Sequence, residues 1–234
     1  MALFIAYDTE TTGLLLFDQP SEDPRQPHIV QLAARLVCAE TREVKRSLES
    51  IILPDGWEIP DEVAKIHGIT TERAIFEGHP EADVVGQFMA MWVLADFRLA
   101  HNEGFDARIL RIALKRFQGD EAADRWKAGK AQCTARLSTP IIKLPPTEKM
   151  LAVGRKHPKT PNMTEAFEFF TGQKMEGAHT AGADVDACLA VWWAIQDGKA
   201  NTGPTPMTTP APKAAPLPVA PLTQADPDGL DFLR

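Results

Sequence analysis

The stretch Phe4-Ile5-Ala6-Tyr7-Asp8-Thr9-Glu10-Thr11-Thr12-Gly13 decides the fold. Leu3 to Tyr7 is an apolar run of strand length, bounded by a turn rich in acid and threonine, and it reads as a short buried strand. Asp8 and Glu10 are two residues apart, so on extended backbone both carboxylates leave the same face. At the carboxyl end of a buried strand that face opens on the crevice where such sheets bind ligands. Thr9, Thr11, Thr12 and Gly13 add hydroxyls, backbone N–H groups and a permissive glycine for the close approach of a ligand.

Two other segments carry acids in comparable settings. In His101-Asn102-Glu103-Gly104-Phe105-Asp106, the acid Asp106 falls at the start of a helix, after a short strand and a glycine. In His179-Thr180-Ala181-Gly182-Ala183-Asp184, the histidine and the acid are five apart. On one continuous helix they would diverge by ~140°. Both face one site only if His179 precedes the helix on a loop and Asp184 lies in its first turns. Four carboxylates gathered together repel unless cations neutralise them. Oxygen-only ligands suit Mg²⁺ or Mn²⁺ and not zinc. Two such ions stabilise both the attacking and the leaving oxygen of an in-line displacement, and a neutral histidine can take the proton of the attacking water. The constellation points to two-metal cleavage of phosphodiesters without a covalent nucleophile.

The remaining segments supply a scaffold for such a site. His28 to Val37 and Val44 to Leu53 read as two further strands joined by the polar Ala39 to Glu43, a hairpin-like connection. The proline- and acid-rich stretch Asp18 to Pro27 reads as a loop. Pro60 opens a helical segment through Ile66, and Pro80 opens another to about Leu94. Arg98 to His101 is a short strand. Phe105 to Phe117 is a helix with an apolar stripe at Phe105, Ile109, Ile112 and Leu114, and with basic residues at Arg108, Arg111, Lys115 and Arg116. Ala131 to Leu137 is a short strand or a strand–helix junction. Helices over Asn162 to Thr171 and Ala181 to Asp197 end at Gly172 and Gly198. Strands followed by alternating strands and helices imply an α/β fold with a mixed sheet flanked by helices.

Composition narrows the class. The chain has 234 residues, enough for one sizeable domain plus a tail. The first residues are apolar but too short for a membrane span, and they lack a basic leader, so a cytoplasmic protein is expected. Cys38, Cys133 and Cys188 show no CxxC spacing, which argues for reduced thiols over a disulfide framework or a zinc site. The net charge of −7 is unevenly spread: Arg125 to Lys159 holds nine Lys or Arg against one acid, Glu148. Such a basic stretch on an acidic protein can bind a phosphate backbone. From about Ala200 onward, eight of the 19 prolines fall in the last 35 residues, without apolar periodicity. A flexible Pro/Ala-rich tail over 200–234 is expected there, after a catalytic domain over 1–199.

These motifs resemble the DEDDh family of 3′–5′ exonucleases, typified by the proofreading epsilon subunit of bacterial DNA polymerase III. The first family motif matches Asp8-Thr9-Glu10-Thr11-Thr12-Gly13-Leu14, the second His101 to Asp106, and the third His179 with Asp184. Ile66-His67-Gly68-Ile69-Thr70 and Cys133-Thr134-Ala135-Arg136-Leu137 also resemble family segments, so the similarity covers about Leu3 to Ile195. The resemblance implies a ribonuclease H-like fold and ligation of two Mg²⁺ (or Mn²⁺) by Asp8, Glu10, Asp106 and Asp184. It implies His179 as general base. It implies contacts of Thr11, Gly13, Leu14 and His67 with the 3′-terminal nucleotide, with Asn102 supporting the site. Two departures stand out: the Asp18 to Pro27 loop is long and acidic, and Glu103 replaces a small residue. Either could change how duplex ends approach.

The expected substrate is a DNA 3′ end, in proofreading or repair. An RNA 3′ end is the rival within the class, because the metals act on phosphate and not on sugar. A binding module without catalysis would predict loss of an acid, yet all four acids and the histidine are present. The terminal Gly229-Leu230-Asp231-Phe232-Leu233 resembles the short apolar peptide with which replication proteins bind the sliding clamp, with glycine in place of the usual leading glutamine. A polymerase or clamp partner tethered through it would gain effective concentration.

Overall fold

A computed structural model of the chain describes residues 2–198. The Pro/Ala-rich segment and the Gly229–Leu233 peptide lie outside the described residues. Five strands form one sheet in the order β3-β2-β1-β4-β5. β1 (Leu3–Thr11) is central, with β2 (Ile29–Cys38) antiparallel to it and β3 (Val44–Ile51) antiparallel to β2. On the other side β4 (Phe97–Ala100) is parallel to β1, and β5 (Ala131–Cys133) is parallel to β4. This is the expected mixed sheet.

The two-residue alternation of β1 sorts the helical layers. Ile5 and Tyr7 enter a core with Phe88 of α3 (Glu81–Trp92), Ile109 of α4 (Glu103–Phe117) and Trp126 of α5 (Gly119–Ala128). Phe4 and Ala6 enter a second core with Val185, Cys188 and Trp192 of α9 (Ala181–Gln196). Behind α9, α8 (Met163–Thr171) packs Phe167 and Phe170 against Ala187 and Val191. Each fully buried side chain of this kind contributes about 1.5–3 kcal/mol. Asp8 and Glu10 continue the Phe4–Ala6 face, and so they point to the α9 side.

Several elements differ from expectation. β1 runs on through Thr11, because its pairing with β2 continues to Thr11↔Ile29, with a register shift after Glu10. Asp8 and Glu10 therefore sit within the strand and not in a turn. α1 (Asp61–His67) is followed by an unforeseen helix, α2 (Thr71–Glu77), and α5 was likewise unforeseen. Ala131 to Leu137 is a junction: β5 ends at Cys133 and α6 (Thr134–Ile142) starts at once. A short α7 (Glu148–Ala152) follows. Cys38, Cys133 and Cys188 are free thiols, as expected.

The basic stripe of α4 has a structural use. Arg108 donates to the carbonyls of Leu16 and Gln19 at 3.0 and 2.7 Å, and Arg116 to those of Pro27 and Gln26 at 3.1 and 2.6 Å. Lys115 pairs with Glu22. From inside the loop, the buried Gln26 amide donates to the carbonyls of Leu16 and Pro20, both at 3.0 Å, and accepts from the Leu16 N–H at 3.1 Å. The proline- and acid-rich loop is thus held at both its carbonyls and its acids.

Candidate active site

The α9 face of β1 gathers three carboxylates. Oxygens of Asp8, Glu10 and Asp184 all lie within 4.8 Å of one another. Asp184 reaches them because α9 starts directly over the sheet. The N–H of Ala181, the first residue of α9, donates to the side-chain carbonyl of Gln31 at 3.0 Å. Gln31 is the β2 residue directly opposite Glu10. A Cβ at Gly182 would meet the Glu49 carboxylate of β3, so the small residue lets the helix sit this low.

Crowding shows in the proton affinities. Burial, and then the charges of Asp184 and Asp106, push Glu10 up to about 7. Asp8 is pushed well above the carboxylate range by burial, then by Asp106, Asp184 and Glu10. Asp184 is raised by burial too, against the opposing hydrogen bond from the His179 N–H. Three acids whose charged forms are disfavoured, chiefly by burial and for Asp8 and Glu10 also by neighbouring carboxylates, fit a hard divalent cation among oxygen donors only.

Asp106 approaches from the other side of β1. β4 pairs with β1 only from Phe4 to Ala6, so the β1 edge beyond has no neighbouring strand. There Oδ1 of Asp106 accepts the Thr9 N–H at 3.1 Å and the Thr9 hydroxyl at 2.7 Å. Burial still pushes Asp106 up to about 7, although both Thr9 bonds pull it down. Asp106 lies outside the close triad and acts on Asp8 and Glu10 through its charge.

A cleft beside the triad is lined by Asp8, His101, Asn162, Met163, His179 and Asp184. His179 is exposed, on a loop before α9, with a left-handed backbone (φ 69°). Its N–H donates to Asp184 Oδ2 at 3.2 Å. The loop-then-helix geometry required by the five-residue spacing is present. His101 bridges two segments: Nδ1 lies 2.9 Å from the Thr134 hydroxyl and Nε2 3.0 Å from the Pro161 carbonyl. The carbonyl requires a proton on Nε2, leaving Nδ1 to accept from Thr134. Burial lowers the His101 pKa and favours this neutral form.

The other expected residues do not line this cleft. Thr11 is buried and donates its hydroxyl to the Gly13 carbonyl at 2.8 Å, shaping the turn that leaves Leu14 83% exposed. Asn102 is exposed in a left-handed conformation (φ 62°) at the start of α4, where its carbonyl accepts the Phe105 N–H. His67 is buried. Its Nδ1 accepts the Ile69 N–H at 3.2 Å, which puts the proton on Nε2, and Nε2 has no partner among the described residues. Glu103 turns away from the cleft into a buried pair with Arg98 at 2.6 Å, and it accepts from the Tyr7 hydroxyl at 3.2 Å. The departure at Glu103 thus belongs to the scaffold.

Gln31 was given no role from sequence, Thr9 was read as a donor to a ligand and not as the partner of Asp106, and His101 was named only as part of the second motif. Gln31 had a signal, as a polar residue inside the apolar run Ile29 to Leu36. The pairing of Thr9 with Asp106 spans 97 residues and left no local trace.

A mixed sheet flanked by helices, with carboxylates collected over a cleft beside its central strand, is a fold of the ribonuclease H-like kind. Residues 5–192 match the RNase T family, described as exonuclease. The chain belongs to this family of exonucleases. Similar solved structures include E. coli exonuclease I with a dT13 oligonucleotide, at 19% identity and TM-score 0.66, covering 84% of this chain and 41% of that one. The same enzyme with a dA16 oligonucleotide aligns at 18% identity and TM-score 0.65, covering 85% and 41%. An apo exonuclease I aligns at 18% identity and TM-score 0.64, covering 84% and 42%. The chain therefore spans about two fifths of those proteins, and the likeness is one of fold. No curated protein matches the chain. No helix among the described residues is long and apolar enough to cross a membrane.

Proposed function

We propose that this chain is a divalent-metal-dependent exonuclease that removes nucleotides from DNA 3′ ends, in proofreading or repair, with His179 as general base. The observation that carries the reading is the Asp8–Glu10–Asp184 triad: three carboxylate oxygens within 4.8 Å, each raised in pKa, beside a cleft that holds a histidine. These acids, with Asp106 across the strand, would hold two Mg²⁺, for which Mn²⁺ would substitute. The bound ions supply Lewis-acid stabilisation of the attacking and leaving oxygens.

The chain's own groups do the remaining work. The exposed imidazole of His179 takes the proton of the attacking water, and the bond from its N–H to Asp184 keeps the loop beside the acids. Thr9 orients Asp106 through two hydrogen bonds. Thr11 and Gly13 shape the turn that presents Leu14, and with Asn102 they border the 3′-terminal nucleotide. The unpartnered Nε2–H of His67 is a buried donor whose satisfaction by a bound acceptor would recover about 1–3 kcal/mol. The DNA preference rests on the structural neighbours, exonuclease I structures that include complexes with DNA oligonucleotides. A polymerase or clamp contact through Gly229–Leu233 rests on sequence resemblance alone.

The test is a time course on 5′-labelled single-stranded DNA and sequence-matched RNA with Mg²⁺, beside Asp8→Asn. A ladder shortening from the 3′ end, faster on DNA and absent in the variant, is expected. Preferential shortening of RNA would transfer the reading to an exoribonuclease. No cleavage with Mg²⁺ or Mn²⁺ would refute it.

A further inference from the structure

The basic stretch between α6 and α8 is not used by the catalytic constellation. Residues 144–159 form an excursion whose ends are tied together, because the Lys159 N–H donates to the Leu144 carbonyl at 3.0 Å. Lys143, Lys149, Arg155 and Lys156 are exposed on it or at its root, and none has an ion-pair partner among the described residues. Lys159 is the exception, paired with Glu165 at the base. Glu148 is the sole acid of the excursion. Leu151 and Val153 are exposed between the cations.

The excursion is rooted beside the cleft on both flanks. Thr134 opens α6, and Pro161 follows Lys159 by two residues. One imidazole, His101, contacts both, and it lines the cleft with Asp8. A cationic arm is thus anchored through the wall of the site whose floor carries the acid triad. Fixed spacing between the two matters physically. A net charge of −7 repels a polyanion, so a strand brought to an acidic floor needs local cations beside it.

We infer that the 143–159 arm is a phosphodiester-backbone site, which holds the nucleic-acid strand leading away from the 3′ end. It deepens the exonuclease reading by assigning the part of the protein that grips substrate remote from the scissile bond. The exposed Leu151 and Val153 would lie against sugars and bases, and they add affinity without sequence preference. Each single-strand phosphate neutralised releases counterions, with a salt slope near −0.7 per contact. Three cations therefore account for a slope of about −2.

The experiment compares the full chain with Lys149→Ala/Arg155→Ala/Lys156→Ala and with the charge-preserving Lys149→Arg/Arg155→Lys/Lys156→Arg. Binding of a fluorescein-labelled 20-nucleotide single strand is followed by anisotropy between 50 and 300 mM KCl in Ca²⁺. Hydrolysis of the p-nitrophenyl ester of thymidine 5′-monophosphate, which has no upstream phosphates, is followed in parallel. The alanine variant is expected to flatten the slope by about 2 and to raise Kd about tenfold or more at 0.1 M salt. It should leave kcat/KM on the small ester unchanged, and the charge-preserving variant should bind like the parent. An unaltered slope in the alanine variant, or equal loss in the charge-preserving one, would overturn the inference. Failure of the parent to hydrolyse the ester or any strand would refute the exonuclease reading, while the binding slopes still decide the arm.

Discussion

Two sets of acids lie on opposite sides of β1, and they are treated in opposite ways. On the α9 side Asp8, Glu10 and Asp184 face one another: burial raises all three, and neighbouring acids raise Asp8 and Glu10 further. On the α4 side Glu103 is paired with Arg98 and Glu22 with Lys115, whereas Asp106 accepts only from the neutral Thr9, stays raised and belongs with the site. Residue type does not distinguish the sets. What distinguishes them is whether the protein supplies the counter-charge. Where it does, the acids brace the α4 layer; where it does not, stability is given up for a site that a cation completes.

The largest effect expected from this contrast is on the unpaired side. Several kcal/mol of transition-state stabilisation rest on the ligands, so Asp8→Asn should lower kcat by about 10⁴-fold or more. The same change removes a repelling charge, and the metal-free protein should melt higher than the parent. Single-turnover rates and calorimetric melts in EDTA read the two together. A variant both inactive and less stable would mean that Asp8 serves the fold.

His179→Ala comes next, with a loss of about 10²–10⁴-fold in kcat, the range for a general base. His179 is exposed and touches the acids through its main chain, so titration calorimetry with Mn²⁺ should find metal affinity nearly unchanged. Collapse of that affinity would make His179 a ligand and place it on the acid side of the comparison.

How much of this was legible beforehand follows from the range of each interaction. The two-residue spacing of Asp8 and Glu10 and the five-residue spacing of His179 and Asp184 are local geometry, and both resolved as the spacing required. The continuation of β1 to Thr11 was missed because a run of acids and threonines looks like a turn until β2 is placed beside it. α5 was missed because Gln118-Gly119 looks like a helix stop, although Ala122, Ala123 and Trp126 give it a buried face. α2 is seven residues long and exposes Ile75 and Phe76, so it has little periodicity to read. The basic stripe of α4 was visible, but its use as a clamp on the 18–27 loop depends on contacts about 90 residues apart.

On the paired side, Glu103→Ala should cost about 3–5 kcal/mol, because it leaves the Arg98 guanidinium buried without its carboxylate. Urea denaturation would read the loss. Arg98 also lies over the Trp126 ring, 4.3 Å from its centroid, and it donates to the Trp126 carbonyl, so the α5 packing should loosen with it. The scissile chemistry should change little, since Glu103 points away from the cleft. A large fall in kcat at unchanged stability would contradict the scaffold role.

The smallest effect is also the most direct measure of repulsion. In the fold Glu10 and Asp106 are pushed up to about 7, whereas in the unfolded chain they return to roughly 4. Between those values the folded state binds more protons than the unfolded one, so stability falls as pH rises through the window and levels off above it. Metal-free protein should therefore melt highest near the acid end of that range and lose melting temperature steadily toward pH 7.5. A bound divalent cation replaces the protons, so saturating Mg²⁺ should flatten the slope, with the largest gain at pH 7.5 and little at pH 5. Asp8→Asn should shrink the slope in EDTA, because Asp8 carries part of the charge that its neighbours resist. A melting temperature independent of pH without metal would mean the three acids are not in conflict, and the distinction between the two sides of β1 would fail.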